Sequence, residues 1–411
     1  MISKEVRKDT ILTILSRATI AIIALANTAF ITQFWGAEGK GYQTIFIANL
    51  GLITIVTNIF TSSSISYFVR KVGASKLLAQ ACIWTFISSL IGVLLSHYFD
   101  SHSYTLLLLI SCLLTGYVTF HNALYIGMQK IKYFNLLAIL QPLLLLLFMF
   151  LFYNTIDAGY FDYFYAYILS LISVIIIAHF LTQKTVGKIK LQLDFSVTKQ
   201  TFSYGFQNEL SSFFQFLVTR LSFYFIVYYL NEVSLGIFSV GIAISEAIWI
   251  ISRSISMVQY SNIIKEGNTQ NARKGVIISS LLSIVFTFFC VIVILILPKS
   301  IFGYIFGPEF SEVKYIVLLM SPGILFISFS TIYGHYFAAI GKMKILVLKS
   351  VVGAILTFLL LFFIIPQWEI TGACVVTSFV HFISSSIIVT CFFFMNDKPK
   401  SCPVNNMMNY D

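Results

Sequence analysis

Apolar residues run along this chain in blocks of about twenty, divided by short polar connections. A helix needs about 20 predominantly apolar residues to cross the hydrocarbon of a bilayer. Blocks that meet this requirement lie near 11–34, 42–69, 77–99, 104–126, 134–153, 160–182, 201–230, 233–259, 275–297, 315–337, 345–366 and 370–395. The pattern predicts an all-α, polytopic membrane protein of about twelve transmembrane helices. The longest non-helical stretches it predicts are 183–200, 260–274 and 298–314. From Asn396 onward the sequence is polar and reads as a disordered tail. Pro142 and Pro322 fall inside the fifth and tenth spans and should bend them, because proline lacks the amide N–H the helix ladder uses.

Composition supports the same solvent. Hydrophobic residues make up 58% of the chain and charged residues 10%, against roughly 25% charged in a soluble domain. So few charges could not cover a surface in water. Lys4, Arg7 and Lys8 precede the first apolar block. That block is longer than a signal-peptide core, and no small-residue cleavage site follows it, so it is expected to remain as the first helix.

Charge gives the expected orientation. Lysine and arginine gather on cytoplasmic loops, and every second connection here is basic. Arg70, Lys71 and Lys76 form one such cluster, with Lys130 and Lys132, then Lys184, Lys188, Lys190 and Lys199 in the next two. Lys265, Arg273 and Lys274 follow, then Lys342, Lys344 and Lys349, and finally Lys398 and Lys400. The opposite side holds only Lys40, Lys299 and Lys314, with acids such as Glu38, Asp100, Asp157, Asp162, Glu309 and Glu369. Both termini are therefore expected in the cytoplasm. The net charge of +10 becomes an orientation signal with an attraction to anionic headgroups, and a nucleic-acid partner is excluded.

The chain also reads as two similar halves. Ile126-Gly127-Met128-Gln129-Lys130 closes the fourth span and Ile340-Gly341-Lys342-Met343-Lys344 the tenth, both as I-G-x-x-K. Glu38 to Tyr42 after the first span is echoed by Glu232 to Gly236 after the seventh. The expected organisation is a six-helix lobe over 1–182, a linker over 183–200, a second six-helix lobe over 201–395 and a tail over 396–411. An even number of helices per repeat makes the repeats parallel, and such repeats set a substrate site around a central cleft near mid-membrane.

Sites for covalent chemistry are not evident. The sequence offers no zinc pattern, P-loop, nucleophile elbow or D-x-D, and the outer loops are short. His97, His102, His121, His179, His335 and His381 are scattered without metal spacing and read as satisfied or interfacial side chains. Cys82, Cys112, Cys290, Cys374 and Cys391 lie in apolar blocks, where they read as small packing residues, and Cys402 lies in the tail. No cofactor and no enzymatic activity are expected.

The informative residues are charges at membrane depth, each of which costs a few kcal/mol there unless it meets water or a partner. Glu209 and Arg220 stand eleven residues apart on the seventh span, and Glu246 and Arg253 seven apart on the eighth, so each pair shares a helix face. Arg17 lies on the first span. One reading lines a partly cationic, water-filled cleft with these faces, since the guanidinium fork suits phosphate. In the other, Arg17 and Arg253 snorkel to the interface, and Glu209 and Glu246 neutralise arginines. The carboxylates are also candidates for coupling to H⁺ or Na⁺. Asn49, Thr54, Asn58, Thr61 and Ser62-Ser63-Ser64 make the second span polar, mainly as interhelical glue. The aromatic surplus, as at Phe161 to Tyr167, reads mostly as an interface belt.

With these features in place, the chain resembles the Wzx-type O-antigen flippases of the multidrug/oligosaccharidyl-lipid/polysaccharide exporter superfamily. Tyr204-Gly205, Arg220, Glu232 to Ser239 and Ile244-Ser245-Glu246-Ala247 carry the resemblance most clearly. Phe306 to Phe310, Ala338 to Lys342, and Ile365-Pro366 through Thr371-Gly372-Ala373 also fit. The resemblance implies a flippase of a bacterial inner membrane that moves an undecaprenyl-pyrophosphate-linked oligosaccharide, a repeat unit of a surface polysaccharide, by alternating access. It further implies membrane lipids, a polysaccharide polymerase and chain-length proteins as partners. Arg220 matches a position where the family commonly has a basic cavity residue, which makes it the first candidate for the pyrophosphate, ahead of Arg253 and Arg17. Drug-exporting relatives often keep a deep carboxylate in the first six helices, and none stands there in this sequence. The competing readings are a drug or cation exporter, a membrane polymerase or ligase, and a receptor or scaffold without transport.

Overall fold

The computed structural model describes residues 4–99, 103–187, 192, 194, 197–266 and 269–395. The described residues form helices and turns with no strand. In chain order the helices are α1 (Lys4–Thr61), α2 (Ser63–Val72), α3 (Ala74–Phe99), α4 (Thr105–Gly127), α5 (Ile131–Thr155) and α6 (Phe161–Val186). They continue with α7 (Thr198–Tyr229), α8 (Glu232–Glu266), α9 (Thr269–Ile296), α10 (Lys299–Phe306), α11 (Val313–Ala339) and α12 (Met343–Phe394). Among the described residues, ten helical stretches are long and apolar enough to cross a membrane. Two of them, Leu15–Val72 of 58 residues and Met343–Phe394 of 52, are each about twice the length a bilayer needs. Each is broken near its middle, α1 at Gly36 and α12 at Glu369. Counting both sides of each break accounts for the expected set of about twelve spans.

The breaks have local causes. Gly36 takes φ 64° and ψ −166°, a conformation open to glycine because no Cβ obstructs it. Glu369 takes φ 49° and ψ −135°, which strains any residue with a Cβ. Pro366, one turn earlier, has already weakened the ladder. A third break at Ser62 (φ −115°, ψ −103°) divides the expected second span into α1 and α2. Ser64 Oγ donates to the Ile59 carbonyl at 2.8 Å and so satisfies an oxygen the break would strand. The hydroxyls in this region thus serve largely their own helix, as Thr61 Oγ1 does by donating to the Thr57 carbonyl at 3.2 Å. An exception is Thr57, whose hydroxyl meets Ser88 of α3 at 3.0 Å.

Two of the three predicted non-helical stretches are largely helical. Residues 260–266 continue α8 and 269–274 open α9, while 298–314 contain α10 and a short 3₁₀ turn at Pro308–Phe310. Glycine and proline flank α10, which explains why it reads as a loop, but Phe302 and Phe306 one turn apart are buried and give it a core face. Within 183–200, Asp194 is fixed against the start of α3. Lys76 Nζ donates to Asp194 Oδ2 at 2.7 Å and Gln80 Nε2 to the Asp194 carbonyl at 2.6 Å.

The chain divides into two compact units, Met1–Phe213 and Phe214–Asp411. In the first, Ile65, Phe68, Leu77, Phe120 and Leu124 form a core that joins α2, α3 and α4. The start of α7 belongs to this unit and packs tightly there, since a Cβ added at Gly205 would fall on the Ile59 carbonyl oxygen. In the second unit Val276, Ile332, Tyr333, Tyr336 and Phe392 tie α9, α11 and α12 together. Hydroxyls add directional links of the kind expected between helices in lipid: Ser283 of α9 donates to Ser252 of α8 at 2.7 Å.

Candidate functional site

The clearest polar feature at membrane depth lies on α7 and α8 of the second unit. Arg220 Nη2 donates to Glu246 Oε1 at 2.7 Å, forming a salt bridge between the two helices. Both side chains keep surface exposure, 27% for Arg220 and 42% for Glu246, so the pair is not locked in a dry core. The Arg220 guanidinium also lies 5.1 Å from the Phe223 ring. Along α8, Glu246, Trp249 and Arg253 stand at spacings that share a face. The Arg253 guanidinium sits 3.9 Å from the Trp249 ring centroid, and Trp249 Nε1 donates to Thr331 Oγ1 of α11 at 2.9 Å. A charge pair and a ring-supported arginine thus occupy neighbouring turns, presenting guanidinium donors that suit an oxyanion.

Pairing across helices replaces one of the pairings that spacing suggested. Glu246 meets Arg220 on the neighbouring helix rather than Arg253 on its own, because facing helices approach as closely as successive turns do. Glu209 lies in the first unit, where it is 8% exposed. Arg17 also belongs to the first unit, half-buried with its guanidinium 5.8 Å from the Phe134 ring. The five charges singled out by sequence therefore divide between the units, and only Arg220 and Glu246 form an ion pair with each other.

Several histidines make a local hydrogen bond through Nδ1, although the Nε2 of His121 is buried without a partner. His335 Nδ1 bonds to the Thr331 carbonyl at 2.9 Å, His121 Nδ1 to Thr182 Oγ1 at 3.0 Å and His97 Nδ1 to Thr105 Oγ1 at 3.1 Å. His102 and Cys402 lie outside the described residues. Among the described residues no group of three His, Cys, Asp or Glu side chains could hold a metal ion.

A second polar feature was missed by sequence reasoning. Inside the second unit, Gln215 of α7, Ser330 of α11, and Lys349, His381, Ser384 and Ser385 of α12 line a pocket with room for about one water molecule. Lys349 follows Lys342 and Lys344 so closely that it reads as a member of a cytoplasmic basic cluster. It lies one further turn into α12, and the pocket corrects that assignment. The available signal was the run Ser384-Ser385-Ser386 just after His381, polar residues concentrated inside an apolar span.

Neither a family model nor a curated protein matches the sequence. Solved structures do. The lipid II flippase MurJ in an inward closed conformation superposes with a TM-score of 0.74 at 13% identity, over 93% of this chain and 86% of that one. An inward-facing multidrug resistance MATE transporter of the MOP superfamily gives a TM-score of 0.72 at 10% identity, over 93% and 97%. The MATE multidrug transporter DinF-BH gives 0.68 at 15% identity, over 96% of both chains. At these identities the likeness establishes the fold, a polytopic helical architecture shared with MOP-superfamily transporters.

Proposed function

We propose that this chain is a flippase for an undecaprenyl-pyrophosphate-linked oligosaccharide, moving it across a bacterial inner membrane by alternating access, with both termini in the cytoplasm. The observation that carries the reading is the Arg220–Glu246 pair, ionised residues held together within apolar helices yet still partly exposed. Charges persist at such depth where they serve a hydrated path. Arg220 is the first pyrophosphate contact, with Arg253 in the second unit and Arg17 in the first as the further candidates, and Glu246 restrains the Arg220 guanidinium between substrates. Glu209 and Glu246 are the carboxylates that could couple to H⁺ or Na⁺. In this role the chain works with membrane lipids, a polysaccharide polymerase and chain-length proteins, and it needs no cofactor.

Two of the three superposed structures are named as multidrug transporters, so export of a drug or other organic cation is the second reading. The engagement of Glu246 by Arg220 weighs against it, because the carboxylate a cation would seek already has a cationic partner. The test is export of surface polysaccharide in a strain that depends on this chain. Arg220→Ala should abolish export at unchanged amounts of membrane-inserted protein, and Arg220→Lys should retain part of it. Full export by the alanine variant would remove Arg220, and the reading built on it.

A further inference from the structure

We infer that the second unit binds a small monovalent anion of halide size in the pocket lined by α7, α11 and α12, held by Lys349 and Ser384. This goes beyond the flippase reading and does not depend on it. Lys349 is half-buried, and no hydrogen bond or salt bridge reaches its ammonium among the described residues. Ser384 is 3% exposed, lines the same pocket, and its hydroxyl has no hydrogen-bond partner. Both residues therefore line one space, each with a donor left without an acceptor. Their neighbours supply no compensating acid, because the other polar lining groups are amide, hydroxyl and imidazole.

The satisfied neighbours sharpen the contrast. Ser385 Oγ bonds to Ser330 Oγ at 2.8 Å, so these two hydroxyls already serve each other. Ser384 is the serine of the pair left without such a contact. Gly353 lets the α12 backbone lie directly against it. A Cβ built at Gly353, one turn beyond Lys349, would come within 2.9 Å of Ser384 Oγ and 3.0 Å of Val218 Cγ2.

The donor set selects the class of ligand. A metal cation would meet an ammonium and no carboxylate, which opposes Na⁺. A phosphate or a lipid headgroup exceeds a space of about one water. A halide fits the size, neutralises an ammonium that is otherwise costly in a low-dielectric span, and accepts from both the ammonium and the orphan hydroxyl.

The experiment uses the purified full-length protein in detergent, with thermal unfolding followed by tryptophan fluorescence. Sodium chloride or bromide is titrated against sodium gluconate at constant ionic strength. A ligand of the folded state raises the midpoint in a saturable way, and such a rise is expected with either halide. Lys349→Met should remove it, Gly353→Ala should weaken it by pushing the Ser384 hydroxyl aside, and Ser384→Ala should weaken halide affinity about tenfold, the worth of one modest hydrogen bond. Arg220→Ala should keep the response, so loss of export and loss of anion binding remain separable. A wild-type midpoint equal in halide and gluconate would overturn the inference, as would an undiminished halide response in Lys349→Met. Should the Met and glycine variants fail to fold, an unweakened response in Ser384→Ala overturns it alone.

Discussion

An arginine in a lipid-spanning helix must satisfy several donors and one full charge, and Arg220 does so with a carboxylate and a ring. Glu246 occupies one edge of the guanidinium fork at 2.7 Å, which leaves other donors to face an incoming anion. If Glu246 aims the fork, removing its oxygen should cost more than removing its charge. With ion coupling left to Glu209, Glu246→Gln is expected to keep most of polysaccharide export, whereas Glu246→Ala should lower it about tenfold, near the low end for a hydrogen bond to a charged group; loss of export in the Gln variant would instead assign coupling to Glu246. Surface polysaccharide normalised to folded protein in the membrane checks this, and wild-type export by the alanine variant would show that the guanidinium needs no partner. Arg220, Glu246 and Arg253 were legible because a charge inside an apolar block stands out against its neighbours. The Arg220–Glu246 bond was not, since helical spacing reports which residues share a face of one helix and says nothing of which helix lies opposite. Lys349 was hidden for a different reason. Beside Lys342 and Lys344 it resembles a loop residue, and one turn of helix separates an orientation signal from a pocket.

At the scale of elements, apolar blocks of spanning length made most of the helices readable, while their breaks were less so. Gly36 could be suspected from its type, but Glu369 could not, because a glutamate carries no signature of a positive φ. Its conformation stores strain of about 1–3 kcal/mol, which glycine would relieve at some cost in unfolded-chain entropy. Glu369→Gly should therefore stabilise the folded protein by about 1 kcal/mol, visible as a higher unfolding midpoint in detergent. An unchanged or lower midpoint would mean that the carboxylate contributes as much as the strain costs. Gly205 offers the opposite case. It read as part of a family-like pair with Tyr204, whereas its structural task is to let α7 approach the α1 backbone where Ser62 interrupts the helix. Because the obstacle is a carbonyl oxygen instead of a flexible side chain, Gly205→Ala should destabilise by about 3 kcal/mol, the upper range for overpacking. A loss under a few tenths would show that α7 shifts freely. Loops were the least legible elements, as α10 shows. Its glycine and proline flanks read as turn, and only the burial of Phe302 and Phe306 reveals a helix.

For the whole molecule, the fold has been used by proteins named as drug exporters and by one named as a lipid II flippase, so architecture alone does not choose the cargo. On the proposed reading, charge at membrane depth chooses between them. An organic cation gains from carboxylates free of basic neighbours, and in the second unit Glu246 is already engaged by Arg220. At an effective dielectric of about 20, two like charges about 4 Å apart repel by about 4 kcal/mol, enough to expel a drug cation and equally to draw in a pyrophosphate. The chain is therefore expected to restore surface polysaccharide to a strain whose own repeat-unit flippase is deleted. In a strain stripped of its drug exporters it should leave rhodamine accumulation and ethidium sensitivity unchanged. Neutralising the cations should shift that balance, so that Arg220→Gln with Arg253→Gln abolishes the first activity without creating resistance to anionic compounds. Drug resistance conferred by the unmodified chain, in the absence of any restored polysaccharide, would mean that these arginines shield the cargo path from outside instead of lining it.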